Sequence, residues 1–115
     1  MPNNHLSASV RWANATAIID LQGEIYAFGE EALNNAYAEA NTKNPKTILL
    51  NFSGVSYINS TGIALIVGLL AQARKSGQRL FTAGLSSHYV EIFQITRLSD
   101  YMNIYPDEAS ALAAQ

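Results

Sequence analysis

Apolar residues along this chain change their spacing several times, and the changes mark its elements. Val10 to Trp12 is long enough for a short strand, and Asn14 reads as a turn. Thr16 to Gly23, TAIIDLQG, reads as a strand that Gly23 ends. From Phe28 to Ala40 the spacing becomes helical: Phe28, Ala32, Leu33, Ala36, Tyr37 and Ala40 recur at offsets of three and four. Asn41 to Lys46 is a loop. Thr47 to Phe52 is a continuous apolar run, as in a strand buried at a sheet centre. Thr61 to Ser76 is a second helix, ended by Gly77, with Arg74 and Lys75 where its dipole favours cations. Arg79 to Gly84 is a strand. Ser86 or Ser87 caps a third helix running to Gln94. Asn103 to Tyr105 is a last short strand, and Pro106 opens a helix over Asp107 to Ala114.

The order is β-β-α-β-α-β-α-β-α. Strands alternating with helices require crossovers, which predicts an α/β domain with a mixed, largely parallel sheet whose first pair is antiparallel. At 115 residues the chain suits one domain over 1–115, with its core in about 10–112.

Composition narrows the functional classes. The net charge is −2, and the seven Lys and Arg residues are scattered along the sequence, which argues against nucleic acid as a partner. The absence of cysteine excludes disulfides and thiolate chemistry. His5 and His88 fit no metal-ligand spacing, and nothing in the residues implies a cofactor. No apolar run is long enough to span a bilayer, and residues 1–10 carry no export pattern. The expectation is a cytoplasmic protein without direct membrane insertion. Ser60 and His88 lack the G-x-S-x-G context of a hydrolase. Only 14% of residues are charged, which leaves apolar surface for a protein partner or a homodimer.

The candidate chemistry is concentrated at Asn59-Ser60-Thr61-Gly62, between a strand-like run and the second helix. A hydroxyl there can cap the helix, satisfying an orphan N–H. The same place tolerates phosphate, because the positive end of the helix dipole lies there. In the helix, Ile63, Ile66, Val67, Leu70 and Ala73 form the expected core stripe. Leu65 falls opposite it and Leu69 flanks it, so both are candidate contact residues. Gly23 and Glu24 form a candidate contact loop.

The segment LLNFSGVSYINSTGIALIVGLLAQARKSGQRLFTAGLS resembles the central part of STAS domains, in particular the bacterial anti-sigma-factor antagonists. In that family a strand ends in V-x-x-[hydrophobic]-D-S-[S/T]-G before an apolar helix and a G-x-x-L step. Val55, Ile58, Asn59 to Gly62 and Gly77 to Leu80 match these pieces. IIDLQGEIYAFGEEAL is similar to the family's L-x-G-E-[ILV]-D stretch, and FQITRLSDYMNIYPDEASAL to its C-terminal pattern. The likeness spans roughly Val10 to Leu112. Two acidic positions of the family are replaced, by Asn59 and Tyr26.

The resemblance implies a STAS-like fold without enzymatic activity. It implies a protein that binds an anti-sigma factor, often a serine kinase, until its motif serine is phosphorylated. That serine is Ser60, with Thr61 as the neighbouring alternative. The implied contact surface is Gly23, Glu24, Asn59, Ser60, Thr61, Gly62, Leu65 and Leu69. STAS-like domains also serve as accessory or scaffold subunits of lipid-transport ABC complexes and stress-signalling assemblies. That use needs no acidic pair and no phosphoswitch.

Overall fold

The computed structural model describes residues 5–114. Five strands form one sheet in the spatial order of the sequence: β1 (Ser7–Ala13), β2 (Thr16–Ile25), β3 (Thr47–Ile58), β4 (Arg79–Ala83) and β5 (Asn103–Tyr105). β1 and β2 form an antiparallel hairpin, turned at Asn14 with φ 55°. The remaining pairs are parallel. The helices are α1 (Glu30–Ala40), α2 (Ser60–Lys75), α3 (Ser87–Ile95) and α4 (Glu108–Ala113). The element order and the mixed sheet are those the sequence predicts.

The two faces of the sheet are covered unequally. α1, α2 and α3 pack on one face, where Ile19, Leu21, Leu50 and Phe52 meet Leu33, Ile66, Leu69 and Phe93. Phe52 and Phe93 meet edge to face, with ring centroids 6.1 Å apart, a favoured aromatic geometry. The other face holds a small cluster of Ile18, Leu49, Phe81 and Ala83, roofed by Ala111 of α4. Arg11 ties α4 to the sheet there by donating to Asp20 and Glu108. The Arg11 guanidinium holds the Asp20 carboxyl below its ordinary range, and the Asn51 amide adds to this at 2.8 Å.

Three elements depart from expectation. β3 runs to Ile58 and not to Phe52, so the motif strand belongs to the sheet. Its far half reaches beyond the β4 pairing, which ends at Asn51–Ala83. There Ser53, Gly54, Ser56 and Tyr57 are exposed, which erases the apolar run. α1 begins at Glu30. Phe28 sits in a preceding 3-10 turn, out of phase with the helix, and is 75% exposed. Val67 is also exposed, whereas Leu69 is buried at 2%.

Candidate functional site

Parallel strands bring their carboxyl ends to one edge of a sheet, and the turns that follow them meet there. At this edge β2 ends in the stretch Gly23-Glu24-Ile25 and β3 ends at Ile58. Gly23 adopts φ 106°, in the left-handed region open to glycine, beside a register shift between Gly23 and Glu24. Glu24, half-buried, lies opposite Tyr57 in the register. The Ser56 hydroxyl reaches the Gly23 carbonyl at 3.5 Å, a long contact.

The turn into α2 is held by backbone. The Asn59 N–H donates to the Ile25 carbonyl at 3.1 Å. Asn59 is extended (ψ −178°) and its Oδ1 accepts from the Gly62 N–H at 2.8 Å, while its carbonyl accepts from Ile63. Asn59 is therefore the N-cap. Ser60 and Thr61, the first two helical residues, are exposed. With the cap supplied by Asn59, the Ser60 hydroxyl stands at the positive end of a sixteen-residue helix with no acidic side chain in its first turn. Gly62 explains itself by contact: a Cβ there would lie 2.1 Å from the Ile25 carbonyl oxygen. On the far side of β3, the Ile58 N–H donates to the Tyr89 hydroxyl of α3 at 2.9 Å. The turn is thus fastened to β2 on one flank and to α3 on the other.

Of the sequence-derived candidates, Gly23, Glu24, Asn59, Ser60, Thr61 and Gly62 come together at this edge. Leu65, one turn further along α2, is half-buried and packs against the core. Leu69 does not belong to the surface: its burial places it in the core, which corrects its assignment as a contact residue. An aromatic cluster beside the turn was missed. His5, Tyr26 and Phe28 contact one another, with Tyr26 and Phe28 edge to face at 5.8 Å and His5 stacked on Phe28 at 6.0 Å. The signal available in the sequence was Tyr26 itself, an aromatic where a carboxylate belongs to the resembled pattern. Tyr57, exposed and opposite Glu24 in the register, lies at the same edge.

Ser60, Thr61, Phe28 and Tyr57 at this edge are exposed. A polar cleft of about 460 Å³ lies on the opposite sheet face, lined by residues including Ser7, Ser9, Gln22 and Ser53. Among the described residues no group of His, Cys, Asp or Glu could hold a metal ion, and no helix is long and apolar enough to cross a membrane. An arrangement of two exposed hydroxyls, a helix N-terminus and exposed apolar rings suits protein contact.

Comparison with known proteins bears on the family. The STAS domain family profile matches residues 8–111. The chain belongs to the STAS domain family. It is 28% identical over 86 residues to the anti-sigma-B factor antagonist of Staphylococcus aureus (strain NCTC 8325 / PS 47), covering 75% of this chain and 80% of that one. Its fold is similar to an anti-sigma factor antagonist from Mycobacterium paratuberculosis, with a TM-score of 0.83 at 18% identity, covering 98% of this chain and 96% of that one. It is also similar to the Bacillus cell fate determinant SpoIIAA in its phosphorylated form, with a TM-score of 0.70 at 21% identity, covering 95% of this chain and 100% of that one. In this STAS domain Asn59 stands where the resembled pattern has a carboxylate; it caps α2 and carries no charge.

Proposed function

We propose that this STAS domain is a non-enzymatic anti-sigma-factor antagonist, which binds an anti-sigma factor of the serine-kinase kind and is switched off by phosphorylation of Ser60. The observation that carries this reading is the exposed Ser60 hydroxyl at the first position of α2, relieved of capping by Asn59. The names of the relatives support the same reading. Gly23, Glu24, Asn59 to Gly62 and Leu65 form the contact surface, and nucleotide and kinase activity belong to the partner. A phosphate on Ser60 adds about −1.5 to −2 charges. The helix dipole and free N–H groups accommodate it, so the fold survives. The partner contact does not, because a charged group would have to be desolvated against it.

The test begins with a tagged chain, copurification from host lysate, and mass spectrometry. Recovery of a histidine-kinase-like ATPase supports the reading, and recovery of membrane ABC subunits replaces it with the accessory role. Incubation with that ATPase and ATP should then place phosphate on wild type and on Thr61→Ala, and none on Ser60→Ala. Ser60→Ala should keep binding, and Ser60→Asp should bind at least tenfold more weakly, a change of about 1.4 kcal/mol. Phosphate on Thr61 alone moves the switch by one residue. A tight complex with no phosphate on either leaves a binder without a switch.

A further inference from the structure

The cations scattered in the sequence are gathered by the topology. Lys43 and Lys46 precede β3, Arg74 and Lys75 close α2, Arg79 opens β4, and Arg97 lies between α3 and β5. Because β3, β4 and β5 are parallel, these segments share the amino edge of the sheet, opposite Ser60. The register sets Thr47 beside Arg79, and the Arg79 N–H donates to the Lys46 carbonyl. All six side chains belong to exposed residues. Among the described residues only Arg97 of these is in an ion pair, with Asp100; Lys43 and Arg74 lie over the Trp12 and Tyr101 rings, each 4.8 Å from the centroid.

The carboxyl edge has the opposite character. Glu24, Glu30 and Glu31 flank Tyr26 and Phe28 along the chain, and no Lys or Arg occurs from residue 12 to 42 or from 47 to 73. None of these three carboxylates is ion-paired among the described residues. The chain, at −2 overall, therefore has a cationic base and an anionic rim.

We infer that the amino-edge base is a docking surface for the carboxyl-edge rim of a second copy of this chain, giving head-to-tail self-association. What supports this is charge complementarity: against the six cations of the base stand Asp100, paired with Arg97, and Glu39 at the end of α1, so an excess of positive charge remains that the rim can offset. Such a contact is heterologous, so it leaves a free base and a free rim at the two ends and extends into chains without closing. Its strength comes from exposed charges, so it is weak and salt-sensitive. It also covers the surface that holds Ser60, independently of what other partner that surface binds.

The test uses the full chain and its lack of cysteine. Sedimentation equilibrium should show mass rising with concentration at about 20 mM salt and monomer at about 0.5 M, as the screening length drops from roughly 20 to 4 Å. Lys46→Glu with Arg79→Glu should abolish the association at low salt while circular dichroism stays unchanged. Ser76→Cys marks the base and Ala27→Cys marks the rim, both at exposed, uncharged positions. Under mild oxidation the mixed pair should crosslink several-fold faster than either protein with itself. A chain monomeric at low salt, or base-to-base and rim-to-rim crosslinks equal to the mixed one, overturns the proposal. So does a monomer that binds a fluorescent oligonucleotide or anionic lipid vesicles through the base.

Discussion

The same strands present two faces that are built on different principles. On the helix-covered face, three helices bury a continuous core around Leu50, Phe52, Ile66 and Phe93. On the other, a six-residue helix roofs four side chains and is tethered by Arg11. The first face carries the stability of the domain, and it also carries α2, whose N-terminus is the candidate switch. The second is peripheral in energy and leaves part of its surface as an open polar cleft. The turn before α2 is anchored on both flanks, by the Ile25 carbonyl and the Tyr89 hydroxyl, so charge added at Ser60 is expected to leave the fold intact.

The largest effect should come from Gly62→Ala, because a methyl group cannot occupy space 2.1 Å from a backbone carbonyl oxygen. A loss of about 3 kcal/mol or more is expected, at the upper end of overpacking costs. Urea unfolding with an unchanged midpoint would show that α2 slides freely over β2. Next comes Leu69→Ala, expected to cost about 2–5 kcal/mol as a buried truncation. Val67→Ala on the same helix should stay within about 0.5 kcal/mol, as surface changes do. Equal losses at the two positions would return the core stripe to Val67.

A small effect is also expected on the other face. Arg11→Ala should lower stability at neutral pH by less than about 1 kcal/mol, since its partners are solvent-accessible. Its pH dependence is more informative. Asp20 titrates lower when folded than when unfolded, so its contribution is present above the ordinary carboxylate pKa of about 3.9 and is lost as the pH falls below it. Thermal melts from pH 6 to pH 2.5 should decline less steeply in the variant than in wild type. An identical slope would mean that Arg11 does not set the Asp20 titration.

The fold was legible because periodicity and turn residues report local geometry, and alternation of strands with helices nearly dictates a parallel sheet. The rotation of α2 was not. Ile66, Leu70 and Ala73 were assigned correctly to the core, yet the stripe turns by about 50° toward Leu69 relative to the sequence reading. Gly62 causes this: its seat on the Ile25 carbonyl fixes the azimuth of the helix, and a glycine contributes nothing to an apolar pattern. Phe28 was misplaced for a related reason, since its spacing matched α1 while the chain there forms a 3-10 turn. The capping role within Asn59 to Thr61 stayed open because each residue type can cap. The charge separation was invisible in one dimension, because Lys43, Arg79 and Arg97 become neighbours of one edge only once the strands are parallel.

The hydrogen bond from the Ile58 amide to the Tyr89 hydroxyl has a spectroscopic consequence. Beyond the end of β4, this amide has a phenol on α3 where a sheet interior would provide a neighbouring strand. Its hydrogen-exchange rate therefore measures whether α3 is seated, while the Asn59 amide, held by β2, measures whether the turn itself is closed. Two adjacent resonances, directly before the candidate switch, would separate undocking of a helix from opening of a turn in a single experiment.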